Sequence, residues 1–297
     1  MVPKRKWEHE KRRVIVYLKE AVGAEHTVST LTRDDVRTFE AHLRTKGLAA
    51  GSIRKVFKLA RAIIQKSLEE FDIQRRNPFD RHTISDPTPD REKRLPLTKE
   101  EITTVLGLSV NDQLATVARL LVDTGARLQE ITGLAWEDVR DLEGNAPFLE
   151  IRPNEVRGLK TQASIRIVPL LSSSVEALKL HRQVLKDAPG GLSVSPAVFP
   201  RYGRENGRDA ASAALNKAMR AAGIKDSKKT VHSIRHTMKQ SLRDQGCPKD
   251  IRDFIQGHSA PNIAENYGLG VALKTMVEWL EIVRPREVSA SPAKVDT

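Results

Sequence analysis

Four short segments of the chain, all beyond residue 120, combine cationic, imidazole and phenol side chains. Each is ordinary alone, because an arginine or lysine is usually a solvated surface charge and a lone tyrosine usually packs in a core. In chain order the segments carry Arg127 with Glu130, Lys160, His232 with Arg235, and His258 with Tyr267. Residues three apart share one helix face, so His232 and Arg235 can address a single target.

These side chains suit a reaction at a phosphodiester, which is anionic and repels nucleophiles. Guanidinium groups stay charged at any working pH and donate paired hydrogen bonds to phosphate oxygens. Tyrosine has an ordinary pKa of about 10, so it is a poor nucleophile until cations favour the phenolate or a neutral imidazole takes its proton. A covalent intermediate would store the broken bond, and rejoining would then need no ATP.

The sequence offers no metal or cofactor site. Cys247 is the single cysteine, which excludes a cysteine-based zinc site and an internal disulfide. No carboxylate cluster has the spacing of metal ligands. We therefore expect neither metal nor cofactor, with arginine and lysine supplying the charge that divalent ions supply in many nucleases.

Three of the segments are specific enough to suggest a family. Thr-Gly-Ala-Arg-Leu-Gln-Glu at 124–130, His-Ser-Ile-Arg-His-Thr at 232–237, and Gly-His-Ser at 257–259 followed by Tyr267 resemble the signature of the tyrosine recombinases, or phage integrases. The resemblance covers the second domain, whereas the first domain is similar only in outline. Ala126 stands where many relatives carry leucine, a conservative difference.

The resemblance implies a role for each polar residue. Arg127 and Arg235 would hold the scissile phosphate, Tyr267 would be the nucleophile, and Lys160 would protonate the leaving 5′-hydroxyl. His232 and His258 would act on the phosphate or its protons, with Glu130 in support. Because the hairpin around Lys160 varies in length, Arg157 and Arg166 compete with it for the role of acid. The expected reaction is site-specific cleavage and rejoining of DNA through a covalent 3′-phosphotyrosine, in the integration or excision of mobile or phage DNA.

Two other classes remain open from the residues. A type IB topoisomerase would use the same chemistry without sequence-specific strand exchange, although the residues of the motifs favour an integrase. A DNA-binding regulator could share the fold without catalysis, but a pure binder need not keep a phenol nine residues after a histidine.

Composition agrees with a polyanionic partner. The 297 residues carry a formal net charge of +12, which favours nucleic acid over an acidic membrane. No apolar run approaches the roughly 20 residues that span a bilayer, so we expect no membrane association and a cytoplasmic, bacterial location on DNA. The partner is then double-stranded DNA, and the resemblance implies a homotetramer in the synaptic complex.

The fold is expected to be mainly α-helical with a small β-sheet in the catalytic domain. A helical core-binding domain at 1–80, a linker at 81–96, a catalytic domain at 97–285 and a disordered tail at 286–297 would form a two-domain clamp around the duplex. In the first domain the basic residues Arg54, Lys58 and Arg61 share one helix face and are candidate DNA contacts, or equally a solvated surface.

Periodicity and capping motifs place the elements of the second domain. Thr98 with Glu101 forms a capping box at its start, and strands are expected at Phe148–Arg152 and Ser164–Leu170. Helices are expected near 99–107, 111–124, 128–135, 174–187, 210–222, 233–245, 248–256 and 271–283. The last helix has a wide apolar face, which either packs on its own domain or, as the resemblance suggests, docks on a neighbouring protomer.

Overall fold

The computed structural model describes residues 4–86, 94–157, 165–188, 196–258 and 269–284. The chain divides into two compact units, Met1–Pro89 and Asp90–Thr297. Most of the described residues are helical, and one three-stranded sheet lies in the second unit. The predicted fold class, mainly α with a small β-sheet, is confirmed. In the described part of the chain no helix is long and apolar enough to cross a membrane.

Three helices build the first unit: α1 (Lys4–Val22), α2 (Arg33–Thr45) and α3 (Ala50–Glu70). Thr32 and Asp35 form a capping box that starts α2. The apolar faces of the helices enclose a core in which the rings of Phe39 and Phe57 stack with centroids 5.3 Å apart. Ile84 is also buried in this core, although the sequence assigned it to the linker.

Within the described residues the second unit contains eight α-helices besides the sheet. They are α4 (Lys99–Leu106), α5 (Asp112–Thr124), α6 (Leu128–Thr132), α7 (Ser172–Asp187), α8 (Gly207–Ala221), α9 (Val231–Asp244), α10 (Lys249–Gln256) and α11 (Leu269–Val283). The capping box of Thr98 and Glu101 opens α4, as predicted. Helix α6 ends three residues earlier than predicted, at Thr132 with Gly133 as its C-cap, where a Cβ would lie 2.9 Å from Cβ of Arg157.

The sheet is an antiparallel meander of β1 (Val139–Arg140), β2 (Phe148–Ile151) and β3 (Arg166–Pro169). Glu150 pairs with Ile167 and Ile151 pairs with Arg166. Both predicted strands are present with shorter bounds. The polar stretch between them, with Gly158, Lys160 and Ser164, lies outside the described residues.

Helix α11 packs on its own unit. Ala272, Leu273, Met276 and Leu280 are buried with residues of α9 and α10 in one apolar cluster. In the single chain this face therefore covers its own core, and docking on a neighbouring protomer in an assembly stays a prediction. The tail predicted to be disordered, 286–297, lies outside the described residues.

Candidate active site

The first arginine of the site follows a tight turn between α5 and α6. Gly125 adopts the left-handed conformation with φ of +61°, and a Cβ there would lie 2.6 Å from Cγ of Met238, so glycine is required. Arg127 then caps α6. Its amide donates to Oε2 of Glu130 at 2.8 Å and its Nη1 donates to Oε1 at 2.7 Å. The Arg127 side chain remains 27% exposed, which leaves the guanidinium accessible to a ligand.

Glu130 is buried between two guanidinium groups. Arg166, on β3, donates from Nη2 to Oε2 at 2.8 Å and from Nη1 to Oε1 at 3.2 Å. Burial by itself raises the pKa of Glu130, but the charge and hydrogen bonds of Arg166, together with those of Arg127, outweigh it and hold the pKa at about 2. Glu130 is therefore a carboxylate at neutral pH and fixes Arg127 at the site.

Arg235, on α9, is held by one carbonyl group of the turn at Gly125 and one at the end of α10. Its Nη1 donates to the carbonyl of Gly125 at 2.9 Å, and its Nη2 donates to the carbonyl of Gln256. The same Nη2 lies 3.2 Å from Nε2 of His258. Main-chain oxygens of separate segments thus set the position of Arg235 before any ligand arrives.

The site carries an excess of positive charge among its described residues. Three guanidinium groups, those of Arg127, Arg166 and Arg235, surround the carboxylate of Glu130, and the carboxylate of Asp253 lies 4.0 Å from Nδ1 of His258. Burial first, and then the charges of Arg127 and Arg166, lower the pKa of Arg235 to about 9, which still leaves it charged at neutral pH. An anion at this position would relieve the mutual repulsion, so the site is suited to a phosphate.

Two imidazoles beside the arginines are neutral at pH 7. Desolvation and the nearby charges of His236 and Arg94 lower the pKa of His232 to about 4, although the residue as a whole is exposed. Desolvation and the charge of Arg235 lower the pKa of His258 to about 4. A neutral imidazole can accept a proton, so either ring could serve as a base.

The two arginines that compete with Lys160 for the role of acid are both committed elsewhere. Arg157 is fully buried and its Nη2 donates to Oδ2 of Asp138 at 3.0 Å. Arg166 is buried against Glu130, as described above. Neither can meet a leaving group without breaking a buried ion pair. Lys160 and Tyr267 themselves lie outside the described residues.

The predicted DNA contacts of the first unit line one surface cavity of α3. It is bordered by Arg54, Lys58, Arg61, Arg81 and His82. Arg54 pairs with Asp86 at 3.5 Å and Arg61 with Asp80 at 2.7 Å. Part of the basic face is therefore neutralised by acidic residues that follow α3, while Lys58 is exposed.

Sequence reasoning missed the residues that position the arginines. The motifs suggest Arg166 only as an acid, although an arginine flanked by apolar residues in a predicted strand is a signal of a buried ion pair. Gln256 acts through its main-chain carbonyl, which leaves no signal in residue type. By contrast, five of the predicted site residues lie near one another in the structure: Arg127, Glu130, His232, Arg235 and His258.

Comparison with known proteins places this geometry in a family. The profile of the phage integrase family matches residues 97–268, which is more than half of the chain. Tyrosine recombinase XerD of Corynebacterium glutamicum is 26% identical over 84% of this chain and 81% of its own length. Tyrosine recombinase XerC of Roseiflexus castenholzii is 26% identical over 80% of this chain and 74% of its own length.

Solved structures share the fold at lower identity. The Tn1549 transposon integrase in complex with transposon right end DNA is 19% identical, with a TM-score of 0.64 over 94% of this chain and 90% of that one. A lambda integrase dimer bound to a COC′ core site is 15% identical, with a TM-score of 0.63 over 90% of this chain and 89% of that one. These likenesses support the fold.

The motifs, the fold and the family match together define a DNA breaking-rejoining enzyme of the tyrosine recombinase class. The chain belongs to the phage integrase family. Site-specific recombination is thus favoured over the two alternatives that the residues left open, a type IB topoisomerase and a DNA-binding regulator.

Proposed function

We propose that the chain recombines specific DNA sites through a 3′-phosphotyrosine on Tyr267, with Arg127 and Arg235 holding the scissile phosphate. The observation that carries this assignment is the convergence of the guanidiniums of Arg127 and Arg166 on Glu130, with Arg235 and His258 in contact beside them. Such a site carries more positive than negative charge and therefore favours an anion. As charge grows on the phosphate in the transition state, donors that are already in place stabilise it without reorganising.

The family motif assigns the nucleophile to Tyr267, and the positions of the other two of the chain's three tyrosines are consistent with that assignment. Tyr202 is buried, and its hydroxyl accepts a hydrogen bond from Nδ2 of Asn111 at 3.1 Å. Tyr17 belongs to α1 of the first unit. Tyr267 is the remaining phenol, and it follows His258 by nine residues.

Cleavage would proceed by in-line displacement. The phenol oxygen of Tyr267 forms a bond to phosphorus, and His232 accepts the phenolic proton. The bond from phosphorus to the 5′-oxygen breaks, and Lys160 donates the proton that this oxygen needs to leave as a hydroxyl. Rejoining reverses each transfer, so the reaction consumes no ATP and uses no metal ion or cofactor.

We extend the proposal to the assembly on DNA. A core-binding domain at 1–80 and a catalytic domain at 97–285, joined by a linker, would close as a clamp on duplex DNA. Four protomers would bring two sites together; one solved relative is a lambda integrase tetramer bound to a Holliday junction. The natural role would be integration or excision of mobile or phage DNA in the bacterial cytoplasm.

Replacing Tyr267 with phenylalanine tests the central assignment. Tyr267→Phe removes the nucleophile without changing charge, so it should abolish covalent protein–DNA adducts and leave DNA affinity nearly unchanged. The measurement is a denaturing gel of a nicked suicide substrate, made from DNA sites recovered from covalent adducts in the host. Tyr202→Phe is the control and should still form the adduct; a normal adduct with Tyr267→Phe would overturn the assignment.

A further inference from the structure

We propose that Arg166 is a positioning residue of the cleavage reaction: it holds Glu130 in place, and Glu130 in turn fixes Arg127 against the scissile phosphate. This inference rests on the proposed function of Arg127. Arg166 does not reach the phosphate itself, because its side chain is only 1% exposed. It would therefore act on the reaction through two intervening side chains.

The contacts form a continuous chain from the sheet to the phosphate-binding arginine. Arg166 donates to both carboxylate oxygens of Glu130, at 2.8 and 3.2 Å. Glu130 in turn restricts the position of Arg127, since each of its carboxylate oxygens also accepts one hydrogen bond from Arg127. The two-point contact from Arg166 fixes the orientation of the Glu130 carboxylate as well as its distance, and that carboxylate then holds Arg127 by its backbone amide and by Nη1.

Arg166 also ties the sheet to the segment that carries His258. Its Nε donates to the carbonyl of Ile255 at 2.9 Å. Gly257 then approaches so closely that a Cβ on it would lie 2.7 Å from Nη1 of Arg166. The carbonyl of Gly257 accepts a bond from Nη2 of Arg127 at 3.3 Å. One side chain thus connects β3, α6 and the turn before His258.

The charges that surround Glu130 explain why Arg166 matters for its ionisation. Arg127 faces it from α6, Arg166 from β3 and Arg235 from α9, while Arg157 donates to its main-chain carbonyl. Arg166 makes the largest favourable contribution among them. Without it, burial would raise the pKa of Glu130, and a protonated Glu130 would no longer hold Arg127 through an ion pair.

The test is the pH dependence of single-turnover adduct formation by Arg166→Met on the suicide substrate. We expect the rate at pH 7 to fall by about tenfold or more, with DNA affinity nearly unchanged. We also expect an acidic limb at a higher pH than that of the parent protein, in which the base His232 is protonated only near pH 4, because Glu130 becomes protonated as the pH falls through its raised pKa. Adding Glu130→Gln should remove that limb without restoring the rate, since an amide does not titrate.

Arg157→Met is the matched control, because Arg157 is equally buried and ion-paired but contacts no side-chain oxygen of Glu130. It should lose stability without gaining the acidic limb. If Arg166→Met does not fold, Arg166→Lys should retain the parent pH profile at a reduced rate. A lysine ammonium keeps the positive charge but cannot donate the two parallel hydrogen bonds of a guanidinium.

Two results would overturn the inference: a parent-like rate and pH profile in the Arg166 variant that folds, or the same acidic limb in Arg157→Met. Both presuppose that the parent protein forms the adduct. Absence of the adduct from the parent protein would contradict the proposed function itself, so the two failures are distinguishable.

Discussion

At the scale of single residues, the two phosphate-binding arginines are oriented by neighbouring groups that would not themselves react. Arg235 is oriented by the carbonyl groups of Gly125 and Gln256, and Arg127 by the carboxylate of Glu130. The guanidiniums are oriented when the chain folds, so they need not reorganise as negative charge develops on the phosphate. The residues expected to move protons are a separate group, and the acid among them can be tested on its own.

A substrate with a sulfur leaving atom tests Lys160 as the acid. Lys160→Ala should cleave ordinary DNA slowly but should recover on a 5′-bridging phosphorothiolate, because a thiolate leaves without being protonated. The measurement is the single-turnover rate on both substrates. Arg157→Ala and Arg166→Ala are controls, and their cleavage rates should not be restored by the phosphorothiolate substrate, since both arginines are buried in ion pairs. Rescue of either control in place of Lys160→Ala would assign the acid to that arginine.

At the scale of elements, the last helix contributes to the stability of its own unit. Leu280 of α11 is 0% exposed and packs in the cluster formed with α9 and α10, whereas Ile282 is 55% exposed. The two positions are two residues apart on one helix, so they separate packing on this core from any contact made outside it.

Truncating these two side chains should therefore give different results in the monomer. Leu280→Ala should lower the free energy of unfolding by about 2–5 kcal/mol, through lost burial and the cavity left behind. Ile282→Ala should change it by no more than about 0.5 kcal/mol. Thermal or urea unfolding of the monomer measures both. Equal stability of Leu280→Ala and the parent would show that α11 does not belong to this core in solution.

At the scale of the whole molecule, electrostatics govern encounter with DNA. The net charge of +12 predicts affinity that falls steeply with salt, because bound phosphates release counterions. On the first unit, however, acidic residues oppose the basic face: Asp80 lies 2.7 Å from Arg61. Asp80 and the exposed Lys58 should consequently have opposite effects on binding.

Salt titrations of binding to duplex DNA test this balance. Lys58→Ala should weaken binding to every sequence and reduce the slope of log K against log salt by about 1. Asp80→Asn should strengthen binding at low salt, because Arg61 loses its competing partner. Fluorescence anisotropy at several salt concentrations measures both. If Lys58→Ala left affinity and slope unchanged, the basic face of α3 would not be a DNA contact.

The sequence by itself determined the class of chemistry and most of the helices. Residue types at fixed local spacing carry that information, since the helix face shared by His232 and Arg235 depends only on positions three apart. Local capping likewise set the start of α4 at Thr98, because both partners of the capping box lie within one turn.

Only the tertiary structure decided how distant segments support the site. The pairing of Arg166 with Glu130 joins residues 36 positions apart, and the carbonyl of Gln256 reaches Arg235 only through the turn after α10. Packing also decided that α11 covers its own core, since an apolar helix face has the same sequence pattern wherever it binds. Local patterns specify elements, whereas buried ion pairs and main-chain acceptors depend on which elements meet.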